Sequence, residues 1–109
     1  YTSSATLGPT TTAFSTTNES SGTNYTSGGA TISNVAVSLS GTVAFVDFDD
    51  VSFSSATISD AAGALIYNSS ASNRAIAVLD FGSTKSVSGG TLTVSLPSAS
   101  ATTALIRIS

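Results

Sequence analysis

VAVSLSGTVAFVDFDDVSF, residues 35–53, holds three short runs in which apolar and polar side chains take turns. Val35, Val37 and Leu39 alternate with Ala36 and Ser38, the period of two that marks a half-buried strand. Ser40-Gly41-Thr42 supplies a turn, and Val43 to Phe48 forms a second strand. Asp49-Asp50 interrupts, and Val51-Ser52-Phe53 resumes the alternation in a third. A period of 3.6 never runs for a useful length, so the chain reads as all-β.

Toward the C-terminus the same grammar continues. Thr57 to Gly63 contains Ser59-Asp60 and Gly63, which fits a turn or a short connecting element. Ala64-Leu65-Ile66-Tyr67 is continuously apolar, as in a strand covered on both faces. Asn68 to Asn73 is a polar turn, and Arg74 to Phe81 (RAIAVLDF) is the most apolar segment, the candidate central strand. Gly82 to Gly90 reads as a Ser/Gly loop. Thr91 to Leu96 alternates with Leu92, Val94 and Leu96 on one face, until Pro97, with no N–H to donate, stops the ladder. Ala104 to Ile108 is the last strand. About seven strands at roughly ten-residue spacing predict a single antiparallel β-sandwich or small barrel. Its predicted core is Val35, Val37, Leu39, Phe45, Phe48, Val51, Phe53, Leu65, Ile66, Ile76, Val78, Leu79, Phe81, Leu92, Val94, Leu96, Ile106 and Ile108.

Toward the N-terminus the pattern fails. Residues 1–30 are broken by Gly8, Pro9, Gly22, Gly28 and Gly29, with Phe14 and Tyr25 the only aromatic residues after Tyr1. The expectation is an extended Ser/Thr/Gly-rich arm or loop over 1–30, followed by the β-domain over 31–109. Tyr25, before Thr26-Ser27-Gly28-Gly29, reads either as an anchor that pins the arm onto something or as a loop tyrosine over the core edge. Tyr1, Phe14 and Tyr25 are the candidate partner-binding residues.

Composition narrows the function classes. With 109 residues the chain supports one core of modest net stability. Charged residues are 8% of it, against roughly 25% in ordinary soluble domains, and serine and threonine exceed a third. Few charges remain to blunt exposed sheet edges, so the chain suits a place partly buried in a larger object, or one outside the crowded cytosol. The net charge is −3 and the three cations, Arg74, Lys85 and Arg107, are scattered, which argues against nucleic acid. No apolar run is long enough for a membrane-spanning helix, and no charged-then-apolar leader is present.

The chemistry-bearing residues are sparse. Without histidine or cysteine there is no thiolate metal site, no disulfide, and no imidazole base for a serine or threonine nucleophile. Lys85 sits in a flexible Ser/Gly loop, so no enzyme, catalytic residue or cofactor is expected. Asp47, Asp49 and Asp50 form one acidic cluster, whose oxygens would suit calcium. The spacing matches no EF-hand loop, and a solvated turn is the better account, so no metal is assigned. Asp80, inside the apolar RAIAVLDF run, needs a cation such as Arg74 or Lys85, backbone donors, or a strand-end place beside Gly82. Asn18-Glu19-Ser20, Asn24-Tyr25-Thr26 and Asn68-Ser69-Ser70 fit the glycosylation pattern, as chance allows in a chain so rich in hydroxyls.

From SGTNYTSGGATISNVAV through VDFDDVSF, ALIYN, RAIAVLDFG and SVSGGTLTVSLP, the chain resembles a family of small tailed-phage virion proteins. They are common in phages of aquatic bacteria and usually carry no assigned function. Members begin with a further stretch ahead of the segment matching YTSSATLG, so a preceding stretch is expected here. The resemblance covers nearly the whole chain, and its motifs are not catalytic. It implies a non-enzymatic virion component, foremost a capsid decoration (cement) protein that binds the major capsid protein. Partners would be that protein or other virion proteins, and copies of the chain itself as a homo-oligomer, a trimer for preference. The place would be the capsid surface, after assembly in the host cytoplasm. A tail, neck or surface-fibre component is the alternative within the virion. A carbohydrate-binding β-sandwich is the alternative outside it, with Tyr25 and Tyr67 as the available aromatic platforms in a chain without tryptophan.

Overall fold

A computed structural model describes residues 1–109. Every regular element is a strand: β1 (Gly22–Thr23), β2 (Ala36–Ser40), β3 (Val43–Asp47), β4 (Val51–Asn68), β5 (Arg74–Val94) and β6 (Ile106–Ile108). They form two three-stranded sheets, ordered β1-β4-β5 and β2-β3-β6. The chain is therefore all-β with no helix, as its periodicity predicts. The strands number six: four of the seven expected segments join into two, and β1, in the stretch expected as an arm, adds one. Thr57–Gly63, expected as a turn, lies within β4, and Gly82–Gly90, expected as a loop, lies within β5.

Two compact units divide the chain. The first comprises Tyr1–Gly29 and Phe53–Leu92, the second Ala30–Ser52 and Thr93–Ser109. In the first unit, residues with left-handed backbone sit inside the long strands: Ser55 (φ 50°) and Asp60 (φ 54°) in β4, Gly82 (φ 72°) and Gly89 (φ 62°) in β5. Each departs from the extended conformation that keeps side chains alternating, in the manner of a bulge. The inward set of β4 changes parity across them. Phe53 faces in before Ser55, Ala56 and Ile58 between Ser55 and Asp60, and Ala61 after Asp60. In β5 the partly buried positions pass from Val87 to Gly90, Leu92 and Val94 across Gly89. Turn-forming residues thus sit where the strands bend, and they bend rather than end.

The core of this unit is small-residued. Ala56, Ile58 and Ala61 are buried, with Tyr25, Phe53, Phe81, Val87 and Leu92 packed against them. Of the predicted core only Ile66 is buried, while Val35, Val37, Leu39, Ile76, Val78 and Ile108 are exposed. The RAIAVLDF strand is not central either. It belongs to β5, at the edge of its sheet, and turns Ile76 and Val78 outward while Ala75, Ala77, Leu79 and Phe81 are half-buried. A run apolar at every position does not say which parity faces in.

Residues 1–29, expected as an extended arm, are laid along this unit by backbone bonds. The Ala62 N–H donates to the Tyr1 carbonyl (2.8 Å), Phe14 N–H to Asn73 (2.9 Å) and Ala75 N–H to Thr12 (2.9 Å). β1 pairs antiparallel with β4, Gly22 opposite Ile58 and Thr23 opposite Thr57.

In the second unit, β3 pairs antiparallel with both β2 and β6. Gly41 (φ 60°) serves the tight turn between β2 and β3. Ala104 is buried just before β6.

Candidate interaction surface

The three aromatic side chains singled out for partner binding are engaged within the first unit. The Tyr1 ring meets Phe14 edge-on at 6.4 Å, and its hydroxyl donates to the Ser15 carbonyl (2.6 Å). Phe14 stacks on Tyr67 with centroids 4.7 Å apart, and the Tyr67 hydroxyl donates to Gly28 O (2.8 Å). Tyr25 lies against Phe53 at 5.2 Å and packs on the small core of the first unit. These rings fasten residues 1–29 to β4.

Glu19 organises the loop that follows it. Its carboxylate accepts from the Tyr25 hydroxyl (2.9 Å), the Ser27 hydroxyl (2.6 Å) and the Gly28 N–H (2.6 Å). Burial, with the adjoining Glu19 carboxylate, pushes the Tyr25 phenol well above its ordinary range. Burial likewise raises the Tyr1 phenol, although its bond to Ser15 opposes the shift. Beside Glu19, Ser20 is buried and its hydroxyl has no hydrogen-bond partner.

The acidic side chains act locally. Asp49 accepts from the Asn34 amide (2.6 Å) and Asp50 from the Leu96 N–H (2.7 Å), so both tie turns together. No three acidic groups converge as metal ligands would. Asp80 is exposed and accepts the Gly82 N–H (2.8 Å), the backbone-donor option among those weighed for it. Lys85 bonds Ser83 (2.8 Å), and Arg107 bonds the carbonyls of Ala101 (3.3 Å) and Thr102 (2.7 Å). Among the glycosylation-pattern asparagines, Asn24 donates its amide to Ser55 O (2.8 Å) and Asn68 accepts from Ser70 N–H (3.0 Å).

The second unit carries the feature that stands out chemically. Register places Val37 opposite Val46, and Val46 opposite Ile106. It places Leu39 opposite Ala44, and Ala44 opposite Ile108. Directly opposed residues share a face, so these two rows make one side of the sheet wholly aliphatic. The other side holds Ala36 and Asp47, Ser38, Phe45 and Arg107, and Ser40 and Val43. Yet Val37, Leu39 and Ile108 are 74%, 73% and 72% exposed. The alternation of Val37 and Leu39 predicts core positions, but a period of two does not say whether anything covers the apolar side.

Searches against family models, curated proteins and solved structures find no match to this chain.

Proposed function

We propose that this chain is a non-enzymatic structural protein of a phage virion, and within the virion a capsid decoration protein that binds and stabilises the major capsid lattice. One observation carries the structural part of this proposal: the large exposed side chains with most to gain from contact are aliphatic. Five of the six lie on strands at sheet edges, Val37 and Leu39 on β2, Ile76 and Val78 on β5, and Ile108 on β6, and Val35 lies just ahead of β2. Val37, Leu39 and Ile108 share one side of their sheet, and exposed apolar patches, where they exceed roughly a few hundred Å², mark protein, membrane or ligand contact. The virion part rests on the resemblance of the YTSGG, VDFDDVSF and RAIAVLDFG phrases to tailed-phage proteins. Repetition over a symmetric shell would make a modest contact effective through avidity.

Cryo-electron microscopy of purified particles encoding this chain is the test. Hundreds of copies spread over the icosahedral shell are expected. Copies confined to the tail, neck or fibres would move the protein there, and absence from particles would end the virion proposal.

A further inference from the structure

We propose that residues 1–29 exchange between two copies of this chain, each arm docking on the other copy's β4 in the register it takes on its own. The first unit is assembled from two stretches, Tyr1–Gly29 and Phe53–Leu92, and the residues between them, Ala30–Ser52, belong to the second unit. The arm is thus held to its own docking site by its contacts there and by a chain that leaves it at Ala30. Those contacts end on Phe53–Leu92: Tyr25 lies on Phe53, Phe14 stacks on Tyr67, and Gly22 and Thr23 pair with Ile58 and Thr57. A second copy offers the same partners at the same spacing. The occupant of the exchanged site is therefore selected by the contacts that build the closed one.

The arm travels as a piece. Glu19 holds Tyr25, Ser27 and Gly28 together within it, so the loop that carries Tyr25 keeps its shape away from β4. The hinge follows directly. Gly29 has a left-handed backbone (φ 78°), and residues 30–35 lie in no strand. A glycine redirects the chain there without steric cost, and a few such loop residues suffice to absorb a change of direction. Closed and exchanged forms make the same docking contacts, so concentration sets the balance between them. A short flexible link presents an arm to its own site at an effective concentration on the order of millimolar. Exchange competes with closure once neighbouring copies approach about that concentration, which is why a swapped segment is a low-cost route to a pair. Reciprocal exchange fills both docking sites and closes the pair. The inference stands apart from the virion proposal, because it requires nothing but the chain.

Disulfide trapping in the full chain, which has no cysteine of its own, is the test. Thr23 and Thr57 are both exposed and directly opposed in the β1–β4 ladder. Opposed residues of an antiparallel pair have Cα atoms about 4.5–5.5 Å apart, within the span of a disulfide. The double variant Thr23→Cys/Thr57→Cys, refolded and oxidised at about 1 μM, far below that effective concentration, is expected to link within one chain, which shows that the arm is docked. The single variants Thr23→Cys and Thr57→Cys are then mixed at about 1 mM in mild denaturant, returned to buffer and oxidised. They are expected to yield a linked heterodimer on a non-reducing gel. The comparison mixture pairs Thr23→Cys with Thr91→Cys, an exposed site on β5, one strand further from β1. That extra strand adds about 5 Å and takes the site out of disulfide reach, so the first mixture should exceed it at least about tenfold. Equal yields in the two mixtures, no heterodimer from the first, or a double variant that fails to link within one chain would each overturn the proposal. If particles hold the chain while no heterodimer forms, exchange fails and the virion proposal survives. If the heterodimer forms but particles lack the chain, the reverse holds.

Discussion

Gly22 faces Ile58 across the β1–β4 ladder so closely that a Cβ added to Gly22 would overlap the Thr57 carbonyl oxygen. The obstructing atom is backbone and cannot swing aside. Gly22→Ala is therefore expected to lift β1 from β4 and cost about 1–3 kcal/mol, the range seen when a packed site is overfilled. Chemical denaturation measures this, and an unchanged midpoint would show that β1 contributes nothing.

Truncation probes the same docking on a larger scale. Residues 1–29 supply the Tyr25–Phe53 and Phe14–Tyr67 contacts and the backbone bonds to Ala62, Asn73 and Ala75. Their removal is expected to leave the first unit unfolded or molten, by near-UV dichroism and dye binding. A truncated chain with native spectra would restore the arm as a separable element.

Ile58 and Val78 differ in burial, not in hydrophobicity. Ile58 is 2% exposed at the centre of the small core, whereas Val78, in the most apolar stretch of the sequence, is 37% exposed. Ile58→Ala should cost about 2–5 kcal/mol, while Val78→Ala should cost less than about 1 kcal/mol. Equal losses in parallel thermal melts would mean that β5 packs the other way round.

Ser20 is the one position where a deletion should help. Its hydroxyl is buried without a partner, and an unsatisfied group of that kind costs about 1–3 kcal/mol. Ser20→Ala is expected to raise stability by about 1 kcal/mol, and a clear loss would reveal a bonding partner for the hydroxyl.

Alkaline pH should unfold the chain through Tyr25. An unfolded tyrosine releases its proton near the ordinary value of 10.0, but the folded Tyr25 holds its proton to higher pH. Above about pH 10 the unfolded state then binds fewer protons than the folded one, so stability falls as pH rises. Below that pH the group contributes no pH dependence. Tyr25→Phe should flatten the alkaline decline, with Tyr1, whose phenol is also raised, accounting for what remains. Melting temperatures between pH 8 and 11 would show it, and identical alkaline slopes would remove Tyr25 from the cause.

Much of this architecture is legible in the residues alone. The period of two in Val35–Leu39 and Thr91–Leu96 announces strands, and β2 and the end of β5 lie where those alternations run. Of the Ser40-Gly41-Thr42 turn, Gly41 and Thr42 fall between β2 and β3, and Ser40 ends β2. The lack of histidine and cysteine removes whole classes of chemistry before any fold is known. What alternation cannot convey is which side is covered. Ser59-Asp60 and Gly89 carry turn chemistry, and sequence has no means of telling a turn that reverses the chain from a bulge that only shifts its parity. Only the packed β4–β5 pair shows that Asp60 and Gly89 are of the second kind, which hands the core to Ala56, Ile58 and Ala61. Likewise the alternation in β2 dictates one apolar face, but the burial of that face depends on what other surface meets it. Local propensity sets the strand, and long-range contact alone sets its inside.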